Sequence, residues 1–84
     1  MHKEEIIGYL KPDESGRYEA IDIWGNYLTY YTSGDGMVVY IDGAWHEGRV
    51  EYADNYGGYY FIDENRNPRR LETAYKVKVE VYCQ

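Results

Sequence analysis

The chain predicts an all-β fold, and three observations carry that prediction. Apolar residues alternate with period two in several short runs, turn signals separate those runs at strand-like intervals, and no segment shows a helical period. The clearest alternation is Tyr75 to Cys83. Tyr75, Val77, Val79, Val81 and Cys83 fall on one side and Lys76, Lys78, Glu80 and Tyr82 on the other, as in a strand with one buried and one wet face.

Taken in order, Glu5 to Lys11 and Arg17 to Ile23 read as two strands pairing across Pro12-Asp13-Glu14-Ser15-Gly16. Trp24 to Tyr31 reads either as a short extra strand or as a single helical turn. Met37 to Ile41 is the next strand, and Asp42-Gly43 is a strong hairpin signal after it. Ala44 to Ala53 is its partner, ended by Asp54-Asn55-Tyr56-Gly57-Gly58. Tyr59 to Ile62 follows, closed by the polar stretch Asp63 to Arg70 with Pro68 inside it. In Ala44 to Ala53, Trp45 lies at an odd position and Val50 and Tyr52 at even ones. A flat strand cannot turn all three inward, so a β-bulge or sharp bend is expected near Glu47-Gly48. About six strands and a bend predict one domain over residues 1–84. Its expected form is a small SH3-like or OB-like β-barrel, or a strongly bent antiparallel sheet, with meander order.

At 84 residues there is room for one core and no deep interdomain cleft. The single cysteine, Cys83, falls on the apolar side of the last strand and cannot form an intrachain disulfide. No apolar run reaches the length of a membrane span, and Met1 to Glu5 has no signal-peptide character, so a cytoplasmic location is expected. Fifteen acidic and nine basic side chains leave a net charge of -6. Residues 1–65 hold 13 acidic and 4 basic side chains, a net of -9; residues 66–84 hold 2 and 5, a net of +3. Such a charge opposes a polyanion, which makes direct nucleic-acid binding unlikely as a primary role and favours a basic partner.

Catalytic and metal groupings fail on spacing. His2 and His46 are the only histidines, Ser15 and Ser33 lie in turns, and a Cys83–His46 dyad conflicts with a core position for Cys83. There is no Cys-x-x-Cys, and Asp63-Glu64-Asn65-Arg66-Asn67 begins like a calcium loop but places Pro68 where glycine is required. No catalytic residue, metal site or cofactor is expected. The remaining handle is tyrosine, 12 in all, a rigid amphipathic side chain favoured at recognition surfaces and also a good strand former.

Arg17-Tyr18-Glu19, Thr32-Ser33-Gly34-Asp35, Ile41-Asp42-Gly43-Ala44-Trp45, Glu47-Gly48-Arg49-Val50-Glu51-Tyr52 and Gly58-Tyr59-Tyr60-Phe61 occur in that order. In these the chain resembles a family of small uncharacterised proteins from Firmicutes and their phages and integrative elements. The resemblance covers roughly residues 6–80 and implies no catalysis; it implies an accessory protein of a mobile element. The functional expectation is a non-enzymatic protein-binding module that occupies a basic surface of a host protein, an anti-defence (anti-CRISPR-like) inhibitor being one form of it. Tyr30, Tyr31, Asp35, Arg49, Glu51 and Tyr59 are the candidate contact residues, Arg49 and Glu51 sharing the face opposite Val50 and Tyr52. The alternatives are a tyrosine-lined barrel mouth holding a nucleotide or sugar, and a nucleic-acid accessory protein using the basic 66–78 segment. Nothing in the pattern decides between monomer and homodimer.

Overall fold

A computed structural model describes residues 2–83, with side chains to residue 82. The described residues form eight strands: β1 (His2–Pro12), β2 (Tyr18–Ile21), β3 (Tyr27–Tyr31), β4 (Gly36–Ile41), β5 (Ala44–Ala53), β6 (Gly58–Ile62), β7 (Pro68–Arg70) and β8 (Lys76–Cys83), with one 3-10 turn at Asp54–Tyr56. All pairings are antiparallel within one sheet of order β3-β2-β1-β8-β4-β5-β6-β7. Two meanders, β1 to β3 and β4 to β7, are therefore stitched together by the last strand. The longest ladder joins the two ends of the chain, His2↔Cys83 through Tyr9↔Lys76.

The sheet is curled rather than closed. Among the described residues no ladder joins β3 to β7, so the barrel expectation gives way to its alternative, a strongly bent antiparallel sheet. What spans the gap is a side chain: the Tyr18 hydroxyl on β2 donates to the Leu71 carbonyl just beyond β7, at 2.9 Å. The turn after β3 also reaches across, with Gly34 N–H donating to Val50 O and Val50 N–H to Asp35 O, both at 2.8 Å. Leu10, Ala20, Tyr31, Met37, Val39, Ile41, Val50, Phe61, Leu71, Val77 and Val79 fill the concave side. These positions alternate along β4 (Met37, Val39, Ile41) and β8 (Val77, Val79), so the period-two pattern is what loads one face of those strands with apolar surface.

Several expectations need correcting. Two strands join the six: β3, which takes up Tyr27–Tyr31 of the Trp24 to Tyr31 stretch while Trp24 lies in the turn before it, and β7, which begins at Pro68. A three-residue edge strand tolerates a proline at its first position because no ladder bond is lost there. The bulge is also elsewhere. β5 stays in register with β4 from Gly36↔Arg49 to Ile41↔Ala44, whereas the register shifts between β2 and β3 at Ala20/Ile21. Trp45 is outward, packed edge-on to Tyr40 at 5.2 Å, so β5 has no phase error to repair. The inward series is His46, Gly48 and Val50, half-buried, half-buried and buried. The Cys83 side chain, expected in the core, lies outside the described residues.

Gly48 matters for a different reason. A Cβ there would lie 1.9 Å from the Ile62 carbonyl oxygen and 2.9 Å from the Phe61 ring. Backbone lies directly over this position, one residue before Arg49, which pairs with both β4 and β6, and only a residue without a side chain permits the crossing. Gly8 is crowded in a milder way, since its Cβ would meet Leu28, Ala20 and Val79 at 3.1–3.2 Å.

Gly48→Ala should therefore cost about 3 kcal/mol or more by forcing backbone apart, and Phe61→Ala about 3–5 kcal/mol by emptying a fully buried site. Chemical denaturation of each variant checks both values. A Gly48→Ala protein as stable as the parent would contradict the crossing.

Candidate functional site

The acidic side chains are the natural starting point, because they set the net charge. Three loops share one design. In each, an aspartate N–H donates to the carbonyl four residues on (Asp13 to Arg17, Asp22 to Asn26, Asp63 to Asn67, 2.7–3.0 Å). The same aspartate's Oδ1 accepts the N–H groups two and four residues on: Ser15 and Arg17, Trp24 and Asn26, Asn65 and Asn67. The residue three positions on has positive φ: Gly16 at 89°, Gly25 at 88°, and Arg66 at 64° where the other two loops have glycine. These carboxylates are turn fixtures.

Their titration follows from those bonds. The Ser15 hydroxyl is the main influence holding the Asp13 carboxyl below its ordinary value, and the Asn67 N–H is the main one at Asp63. Burial is the largest influence on Asp22 and pushes it upward, but the bonds from Asn26, Trp24 and Gly25 outweigh it together. Glu64 is lowered first by His46, whose Nδ1 is 2.7 Å away, and then by the Glu47 N–H.

His46, Asp63 and Glu64 bring donor atoms within 4.8 Å of one another, a spacing a metal could use. Their atoms already have partners. Glu64 clasps β5 through His46 and Glu47, and Asp63, buried, accepts N–H groups of its own loop on Oδ1 and the Arg69 Nε–H on Oδ2 at 3.1 Å. The cluster fastens the β6–β7 loop to β5.

The six candidate contact residues do not form one patch. Tyr31 is in the core, and burial with the nearby Asp35 carboxylate pushes its phenol to about 12, so it offers no contact surface. Asp35 is half-buried and accepts the Thr32 N–H at 2.9 Å, fixing the turn before β4. Arg49 and Glu51 do share the outer face of β5, and they pair with each other at 2.8 Å. Tyr59 is half-buried, edge-on to Tyr52 at 5.0 Å. Tyr30 alone is an exposed aromatic on an edge strand, with the Arg17 guanidinium 5.0 Å from its ring.

The basic 66–78 segment is likewise dispersed. Arg69 is bound by Asp63 and lies 3.7 Å from Asp42, Lys76 sits over Tyr40, and Lys78 sits over Trp45 with Glu5 at 3.9 Å. Arg69, Lys76 and Lys78 are thus each engaged by different acidic or aromatic groups.

Sequence reasoning missed the most exposed aromatic. Trp24 is 79% and Ile23 67% exposed at the tip of the Asp22 loop, and Tyr27 and Tyr30 follow on β3. The signal was present as an apolar pair inside an Asp-x-x-Gly turn, where a core residue has nowhere to pack. β3 is an edge of the sheet with the sequence Tyr-Leu-Thr-Tyr-Tyr, without charge or proline. The opposite edge, β7, is Pro-Arg-Arg, short, charged and proline-led, which are the usual protections against strand addition. One edge is guarded and the other is not.

Arg66→Gly should raise stability by about 1 kcal/mol, because the left-handed conformation strains any residue with a Cβ; thermal unfolding measures it. Acid should act in the opposite sense. Asp13, Asp22, Asp63 and Glu64 titrate lower folded than unfolded, so the unfolded chain takes up protons first. Their contribution is whole above about pH 4 and is lost as pH falls through the lower folded values. A plot of Tm against pH should drop below about pH 4, and the Asp13→Asn/Asp22→Asn double variant should show a shallower drop. An unchanged slope would remove the loop carboxylates from the explanation.

No curated protein and no solved structure matches the chain. Residues 8–79 match a family described as Domain of unknown function (DUF5348), a span that runs from the middle of β1 into β8 and takes in both meanders. With most of its length inside that match, the chain belongs to the DUF5348 family.

Proposed function

We propose that this protein is a non-enzymatic protein-binding module whose contact surface is the β3 edge together with the Ile23–Trp24 knob. The observation that carries the reading is a tryptophan 79% exposed on a loop held by five hydrogen bonds, beside an unguarded edge strand. An exposed tryptophan on a mobile loop would lose entropy on binding; one on a fixed turn is already ordered. Tryptophan and tyrosine dominate interface hot spots.

The partner is a protein with an edge strand beside an apolar pocket. Its surface is basic, since residues 1–65, which include the whole knob and β3, carry a net of -9. In the phage or mobile-element setting that the resemblance implies, that partner is a host protein, and inhibition of a defence protein is the narrowest form of the reading. Of the six residues named from sequence, Tyr30 belongs to this surface.

Affinity capture from host lysate tests the proposal with three baits: the parent, Trp24→Ala and Tyr30→Lys. Trp24 is too exposed for its loss to affect folding by more than about 0.5 kcal/mol. The parent should retain one protein, released by salt, and Trp24→Ala should weaken retention by about 2 kcal/mol, roughly thirtyfold. Equal retention by all three baits, or no retained protein, would overturn it.

A further inference from the structure

We infer that a second site, a groove between the two meanders, binds a neutral saccharide. The groove has a volume of about 470 Å³ and is lined by Tyr18, Tyr56, Tyr59, Arg70 and Glu72 with glycines at its rim. That volume lies within the range of small-molecule sites. Its lining takes no residue from β3 or the Ile23–Trp24 knob, so it does not rest on the protein-binding reading.

Each lining tyrosine is held by a different interaction. Tyr18 donates its hydroxyl to Leu71 O. Tyr56 stacks on Tyr60 with centroids 4.4 Å apart and planes at 22°, and Tyr59 meets Tyr52 edge-on at 5.0 Å. Rings fixed in this way need little further ordering on binding. Between them stand one donor and one acceptor. Among the described residues Arg70 makes no ion pair, and its Nη1 is 3.4 Å from the Tyr56 carbonyl. Glu72 accepts the Tyr75 hydroxyl on Oε2 at 2.7 Å, which orients its carboxylate.

The chemistry selects the ligand class. Aromatic faces suit the C–H face of a pyranose, and a guanidinium with a carboxylate suits its hydroxyls, which both donate and accept. A nucleotide would stack equally well but would bring phosphate toward Glu72 in a protein of net charge -6, where one arginine cannot offset the repulsion. A neutral ring with hydroxyl groups meets no such penalty.

Amide NMR titrations with cellotriose, maltotriose and chitotriose, and with ATP as the charged competitor, test the assignment. At least one trisaccharide should give saturable shifts at Tyr18, Tyr56, Tyr59 and Arg70, with a Kd between about 10 μM and 10 mM. Arg70→Ala and Glu72→Gln, both at exposed side chains, should each weaken binding about tenfold. Glu80→Gln, which removes the same charge on β8 outside the groove, should not. Dispersed amide spectra of each variant confirm that it is folded. No shift with any trisaccharide at about 10 mM, shifts centred elsewhere, or tighter binding of ATP would each overturn the proposal.

Discussion

The fold depends on the crossing of backbone over Gly48. β5 pairs with β4 through its first half and with β6 through its second, and the two ladders overlap at Arg49, the next residue. With a side chain there, the Ile62 carbonyl could not approach, and the second meander could not curl over Val50 and Phe61. That curl brings the β7–β8 connection within reach of Tyr18. The Tyr18–Leu71 bond, the groove and the burial of Leu71 all follow from it. A single missing methyl group thus lets one sheet enclose a core without the second layer that most β domains need.

The tyrosine and carboxylate excesses have structural uses first. Tyr31 fills core, while Tyr18, Tyr52 and Tyr60 bridge or hold other groups. Asp13, Asp22, Asp35 and Asp63 close turns that would otherwise leave N–H groups unsatisfied. What remains for recognition is narrower than the composition suggests: a knob and an edge at one place, and a tyrosine-lined groove at another.

Much of the fold was legible in the sequence. The strands of Met37 to Ala53 and Tyr75 to Cys83 were plain, because alternation and an Asp-Gly turn are local signals. The pairing of β1 with β8 was not, since a ladder between residues some 75 apart leaves no local trace. β7 was hidden by its proline and arginines, the same features that protect it as an edge. Trp45 is not placed by its type, because a large apolar ring that hydrophobicity alone would turn inward is satisfied outside by Tyr40 and Lys78. Tyr31 is the reverse case: it adjoins a Ser-Gly turn and yet points into the core. The candidate surface was less legible still. Exposure of Trp24 depends on which strand forms the edge, and strand order is a property of the whole chain.

The central claim is an open sheet with one guarded and one unguarded edge, and native-state amide hydrogen exchange tests it most directly. Val39, Val50, Phe61 and Val77, inside the sheet, should exchange most slowly, through global unfolding. β3 should contain amides that exchange far faster, because one side of that strand has no partner. Uniform protection across Tyr27 to Tyr31, equal to that of Val50, would mean that the edge is already paired and would contradict the account.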